Sequence, residues 1–153
     1  MINNDIIRRL IYILDFDKQQ ALKMFTLSGT SIDEGKLNLL VTRENDPNFE
    51  LCSDLLLNYF LDGVIIHKRG LPDSNILPKP CDRLNNNIIL RKVKIAFTFK
   101  DTDIISCLKV VDFKVGKSEL SALFRKPGHK HYKVCGDQFL RNFLLGLSKT
   151  LRP

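Results

Sequence analysis

No stretch of this chain is apolar for long enough to cross a bilayer. Its start, Met1-Ile-Asn-Asn-Asp5, lacks the basic opening and small-residue cleavage site of a signal peptide. The expected location is cytoplasmic, with no membrane partner. Cysteine is sparse: Cys52, Cys81, Cys107 and Cys135 are scattered and set mostly among apolar residues. In a reducing cytosol they remain free thiols, and a buried free thiol behaves as a small hydrophobe. Strand-like alternation of apolar and polar residues is missing, so nothing competes with the helical periodicities. There is no P-loop, no dinucleotide-binding glycine pattern and no pair of catalytic carboxylates. No acid, base and nucleophile fall into one constellation. The expectation is therefore no enzymatic activity, no catalytic residue, no cofactor and no metal.

What the chain does contain, it contains twice. Cys52-Ser-Asp54-Leu-Leu-Leu57-Asn-Tyr-Phe60-Leu61-Asp-Gly63 returns as Cys135-Gly-Asp137-Gln-Phe-Leu140-Arg-Asn-Phe143-Leu144-Leu-Gly146. Both fit C-x-D-x-x-L-x-x-F-L-x-G. The offset of 83 residues holds without a gap from position 3 to 63, with 13 identities in 61 positions. Asn3-Asn4 meet Asn86-Asn87, Arg8 meets Arg91 and Phe16 meets Phe99. A fixed-period repeat sets the architecture before any other feature does. Two copies are too few for an open solenoid, so the expected arrangement is two similar halves packed with pseudo-twofold symmetry.

Each copy reads as a roughly four-helix unit, and the class as all-α. Asn3-Asn4 are expected to cap a first helix with Ile6, Ile7, Leu10 and Ile13 inward. Asp17 caps a second, and Gly29 closes it. Ser31 or Asp33 caps a short third. Asp54 is expected to cap the fourth, whose apolar face is Leu57, Phe60, Leu61 and Val64, with Gly70 ending it. The second copy repeats the plan, with Asn86 or Asn87 as its first cap. Residues 1–70 form the first repeat and 84–153 the second. Residues 71–83, with Pro72, Pro78 and Pro80, form the linker, because such proline density excludes a helix. In the repeated motif, Cys52 and Cys135 read as core, Asp54 and Asp137 as caps. A cysteine nucleophile would need a nearby base, and only the second copy has histidines close by. Gly63 and Gly146 interrupt apolar helices at matched positions. They mark a close helix approach, expected between the two fourth helices.

The net charge of +7 is unevenly divided. Residues 1–76 carry 8 Lys/Arg and 11 Asp/Glu, a net of −3; residues 77–153 carry 16 and 6, a net of +10. Two readings are open: an acidic partner for the second half, or mutual attraction of the halves with a gain in solubility. The second and third helices of each copy resemble a helix-turn-helix. In the second copy the third helix and its flanks offer Lys114, Lys117, Ser118, Ser121, Arg125, Lys126 and Lys130, a surface suited to phosphates. The first copy offers Asp33 and Glu34 there. His129, His131 and Cys135 could ligate a metal, but their spacing fits a structural zinc site poorly. The expected partner is nucleic acid, bound through Lys114, Lys117, Arg125, Lys126 and Lys130. The alternative is another protein, with no nucleic-acid binding.

Four segments together resemble a known family: the Asn-Asn-Asp-Ile start, His67-Lys68-Arg69-Gly70, Asn85-Asn-Asn-Ile-Ile-Leu90 and Cys135-Gly-Asp-Gln-Phe-Leu-Arg141. They are similar to the YehS-like bacterial proteins, a duplicated domain of unknown function numbered 1456. The resemblance spans nearly the whole chain. It implies a bacterial, cytoplasmic, duplicated protein, and it brings no activity or site residue with it.

Overall fold

The structure, a computed structural model, describes residues 1–72, 76–79 and 81–153. Within the linker expected over 71–83, residues 73–75 and Pro80 lie outside the described residues. Among the described residues there are eight helices and no strand. They are α1 (Asn3–Leu14), α2 (Lys18–Ser28), α3 (Glu34–Val41), α4 (Asp54–Arg69), α5 (Asn86–Ala96), α6 (Asp101–Val110), α7 (Lys117–Leu123) and α8 (Asp137–Leu151). The chain divides into two compact units, Met1–Leu84 and Asn85–Pro153. Each helix of the second unit starts 83 residues after its counterpart: Asn3 and Asn86, Lys18 and Asp101, Glu34 and Lys117, Asp54 and Asp137.

Within the first unit α2 packs along α4, and α1 rests on α3 and α4. The core is the apolar stripe of each helix: Ile6, Ile7 and Leu10 from α1, Met24 and Phe25 from α2, Leu37 and Leu40 from α3, Leu57, Phe60 and Leu61 from α4. In the second unit α6 packs along α8, with α5 and α7 against this pair. Cys52, Cys135, Phe60 and Phe143 are all buried. Helix ends follow local chemistry. Asp17 and Gln20 form a reciprocal capping box at the start of α2, and Asp33 caps α3 through the Lys36 N–H at 2.7 Å. Gly29, at φ 107°, closes α2 in the left-handed region that a side chain rarely adopts.

The paired asparagines do not cap α1. The cap position there is Ile2, without a side-chain bond, and in the second unit it is Asn85. Asn4 is instead fully buried. Its Nδ2 donates to the Leu40 carbonyl at 2.9 Å and the Glu50 carbonyl at 2.7 Å, and its Oδ1 accepts from the Cys52 N–H at 2.9 Å. Asn87 does the same with Leu123, Lys133 and Cys135, at 2.9 Å each. Asn3 donates to the Cys52 carbonyl at 3.1 Å and to Asp54 Oδ1 at 2.7 Å, and Asn86 repeats both bonds at the same lengths with Cys135 and Asp137. The irregular segment before α4 has no strand partner, and at buried Cys52 its backbone groups must be satisfied by side chains. The carboxamides supply them.

Asp54 does not cap α4 either. Ser53 does, accepting from Leu56 N–H at 3.1 Å. Asp54 is the first helical residue, and its carboxylate accepts from Asn3 and from the Leu84 N–H, the latter at 3.0 Å. Its twin Asp137 accepts from Asn86, which holds that carboxyl below the usual carboxylate range.

Gly63 and Gly146 do mark close approaches, but inside each unit. A Cβ on Gly63 would lie 1.8 Å from the Met24 carbonyl oxygen of α2, and one on Gly146 would lie 2.0 Å from the Cys107 carbonyl oxygen of α6. Met24 and Cys107 are themselves matched across the repeat. The glycines are thus explained by α2 against α4 and by α6 against α8, rather than by a meeting of the two fourth helices.

Two outcomes follow. Gly63→Ala and Gly146→Ala each force backbone apart and should each destabilise by about 3 kcal/mol or more, read as the midpoint of urea unfolding; no loss at either site would contradict the packing described. Asn4→Asp keeps the shape but sets a carboxylate oxygen against two carbonyls. It should cost about 3–5 kcal/mol at neutral pH, as an uncompensated buried charge does, and Asn87→Asp should match it.

Candidate functional site

The basic surface expected from the sequence lies on α7 and the loop that follows it. All five residues, Lys114, Lys117, Arg125, Lys126 and Lys130, are exposed. The structure brings two of them into one groove. Lys117 and Arg125 line an open recess of about 610 Å³ together with Ser118, Ser121, Asp101 and His131. Lys114 lines a different recess, beside Lys109, Asp112 and Phe113. Lys126 and Lys130 are exposed on the loop beyond and do not line the groove.

The groove's charge is set by a change of partners. In the first unit Lys18, at the start of α2, pairs with Glu34, at the start of α3, at 3.3 Å. At the matching positions the second unit carries Asp101 and Lys117, the same pair with signs reversed. Asp101 is drawn away: Lys94 of α5 holds it at 2.7 Å. Lys94 also sits 4.3 Å over the ring of Phe124, and Arg91 donates to the Phe124 carbonyl at 3.2 Å. Neither Lys117 nor Arg125 forms an ion pair among the described residues. Two cations without an ion-pair partner therefore face a groove that also presents two hydroxyls, an imidazole and the Lys94-paired carboxylate of Asp101. That donor set suits an anion with several oxygens. In the first unit Lys18, Glu34, Gly35, Asn38, Thr42 and Asn48 stand at the matching positions, and the one cation among them, Lys18, is paired with Glu34.

His131 is the member of the groove that spacing along the chain does not point to, since with His129 and Cys135 it reads as a poor match to a metal site on a solvated loop. Both histidines are exposed, with rings 5.5 Å apart, and the His131 N–H donates to His129 Nδ1 at 3.0 Å. Cys135 faces the core at 2% exposure. No three His, Cys, Asp or Glu side chains among the described residues converge where a metal could sit. His131 reaches the groove because the loop after α7 folds back on it, with the Lys133 N–H donating to the Ala122 carbonyl at 3.1 Å. The spacing of residues along the chain carries no sign of that return.

The motif cysteines are ordinary core thiols. Burial pushes Cys52 up to about 12 and Cys135 up to about 11, from 9.0, so both are protonated at neutral pH. Cys107 is buried, and burial raises it as well. Cys81 is exposed. A thiol reagent should modify one cysteine per native chain quickly and the other three only on unfolding. Fast modification of Cys52 or Cys135 would contradict the burial.

No helix among the described residues is long and apolar enough to cross a membrane. The family model described as "Protein of unknown function (DUF1456)" matches residues 3–70 and again residues 86–152. The "Uncharacterized protein YehS" of Escherichia coli (strain K12) is 38% identical over 148 residues, covering 97% of this chain and 95% of that protein. No solved structure matches the chain significantly. The chain belongs to the DUF1456 family of proteins of unknown function and carries that family's domain twice.

Proposed function

We propose that this protein binds nucleic acid, without catalysing a reaction, through the α7 groove of its second unit. The observation that carries this reading is the pair of cations, Lys117 and Arg125, left without carboxylate partners in one groove. Nucleic acid is the polyanion favoured by a unit with 14 Lys/Arg and 5 Asp/Glu over residues 85–153, a net of +9. Exposed Lys126 and Lys130 extend the basic surface beyond the groove. Helix α7, preceded by α6 and a turn, would lie against the backbone as the second helix of a helix-turn-helix does. A binding role suits a chain whose motif cysteines are protonated and walled off from solvent. A cytoplasmic setting fits these free thiols.

A protein partner is the second reading. Leu51 and Val134 occupy matched positions, and both are largely exposed, at 64% and 70%. An apolar side chain held in water at the same place in both copies favours a contact that each copy could make.

Titration with duplex and single-stranded DNA at several salt concentrations tests the proposal. Binding should weaken steeply with salt, since each phosphate contact releases nearly one counterion. The double variant Lys117→Ala/Arg125→Ala should flatten the slope of log K against log salt by about 2 and weaken binding to every sequence alike. Its stability should stay within about 1 kcal/mol of the parent. No binding at low salt would end the nucleic-acid reading, and a Leu51→Asp/Val134→Asp variant that loses a protein partner while keeping its fold would support the second.

A further inference from the structure

The first unit holds a recess that the second unit fills with its own side chain. In the first unit Ile11 of α1, Phe16, Ala21 of α2, and Leu37 and Val41 of α3 line an apolar recess of about 260 Å³. Arg8, Asp17, Lys18 and Asn38 form the polar rim of its lining. The matching positions of Ile11 and Val41 are Lys94 and Phe124. There the Lys94 ammonium lies 4.3 Å over the Phe124 ring, and Arg91, the twin of Arg8, donates to the Phe124 carbonyl. The two side chains that face each other across an open recess in the first unit are in contact in the second, where a phenyl ring replaces an isopropyl group and a longer lysine replaces an isoleucine. The internal twin therefore shows what kind of group this corner of the fold accepts.

We infer that the recess between α1, α2 and α3 of the first unit binds a small uncharged aromatic molecule, whose ring takes the place that Phe124 takes in the second unit. This inference is independent of the nucleic-acid reading, which concerns the other unit. Size argues for a single small ring system: an engineered dry cavity of about 150 Å³ accepts benzene, and this recess is larger but far too small for a helix. The Phe16 ring in its wall, itself packed edge-on against His67 at 5.4 Å between centres, offers a partner for edge-to-face or offset stacking. The rim cations can approach the ring of a ligand as Lys94 approaches Phe124. Both are already paired, Arg8 with Asp5 and Lys18 with Glu34. With the Asp17 carboxylate also in the lining, the recess offers no free cation, which disfavours a carboxylate or phosphate on the ligand.

The test uses the full chain, benzyl alcohol as the aromatic probe and cyclohexylmethanol as its saturated match, with binding followed by methyl NMR shifts of Ile11, Leu37 and Val41. Benzyl alcohol should shift these signals saturably and bind at least about threefold more tightly than cyclohexylmethanol, a margin within what ring-specific contacts provide. Val41→Phe imports the second unit's own ring and should weaken benzyl alcohol binding by about tenfold or more. Absence of saturable shifts in the parent protein overturns the site. Equal binding of the two probes overturns the aromatic assignment. If Val41→Phe does not fold, Val41→Leu, which fills the recess in part, should give an intermediate loss; unchanged affinity in it would overturn the placement. Loss of DNA binding in the Lys117→Ala/Arg125→Ala variant should leave benzyl alcohol binding unchanged, so the two proposals fail separately.

Discussion

The fold of each unit depends on one buried carboxamide. Asn4 joins three pieces of chain that share no regular hydrogen bonding: the start of α1, the end of α3 at Leu40, and the segment Glu50–Cys52 that leads into α4. A primary amide suits this task because it has two donors and an acceptor on one planar group. Serine has too few donors, and aspartate has none when ionised. Neighbouring Asn3 extends the arrangement to the Cys52 carbonyl and Asp54. Asn86 and Asn87 reproduce each of these bonds to within 0.2 Å, the largest difference being 2.7 against 2.9 Å. The repeated cysteine belongs to the same scheme: its N–H and C=O are the atoms that the asparagines hold, and its thiol fills the core beneath them.

With α1 and the approach to α4 pinned in this way, the remaining freedom is how α2 meets α4. The glycine at 63 settles it by letting the α2 backbone touch the α4 backbone. Such contact is available only where no Cβ intervenes, and it outweighs the roughly 1 kcal/mol that glycine costs inside a helix. The apolar side chains around it, Phe25, Phe60 and Leu57, then close over a short interhelical distance, with the rings of Phe25 and Phe60 5.6 Å apart. The motif C-x-D-x-x-L-x-x-F-L-x-G is therefore one packing instruction. Its cysteine and aspartate receive the asparagines, its leucines and phenylalanine fill the core, and its glycine admits α2.

Much of this was legible in the sequence, and the failures are informative. Helical periodicity placed the eight helices, and the repeat placed their starts, because burial of one stripe is a local property of spacing. The asparagines and Asp54 were misread as caps. Both types are good caps, and a residue's place near a helix start does not distinguish a side chain that turns back to its own backbone from one that reaches across 36 to 51 residues. The glycines were correctly read as a close approach but matched to the wrong neighbour, since sequence shows that a Cβ is missing without showing what lies opposite. At the candidate site, charge drew attention to five cations, of which Lys117 and Arg125 share one groove. The diversion of Asp101 to Lys94 and the return of His131 depend on tertiary folding, and neither could be read from spacing.

The two copies differ in charge in a way that locates the difference. Two of the first unit's ion pairs stay balanced in the second copy: Lys18 with Glu34 becomes Asp101 and Lys117, and Lys36 with Glu50 becomes Glu119 and Lys133. Sign reversal of a pair adds no net charge, so these changes cannot make the second unit basic. The loop after the third helix can. Residues 42–48 hold Arg43 against Glu44 and Asp46, whereas residues 125–131 hold Arg125, Lys126 and Lys130 with no acid. Seven positions thus move from −1 to +3, and residues 125–131 are all exposed. The loop supplies 4 of the 11 charges by which residues 86–153 (+9) exceed residues 3–70 (−2), and because an exposed charge contributes little to folding, a requirement of the shared fold does not explain that share. The Asp101–Lys94 pair strengthens the point. It ties up an acid that would otherwise neutralise Lys117, and Lys94 has no counterpart in the first unit, where Ile11 stands. Arg125 of the basic loop and Lys117 meeting in one groove are what an anionic partner would need, and neither is needed to hold four helices together.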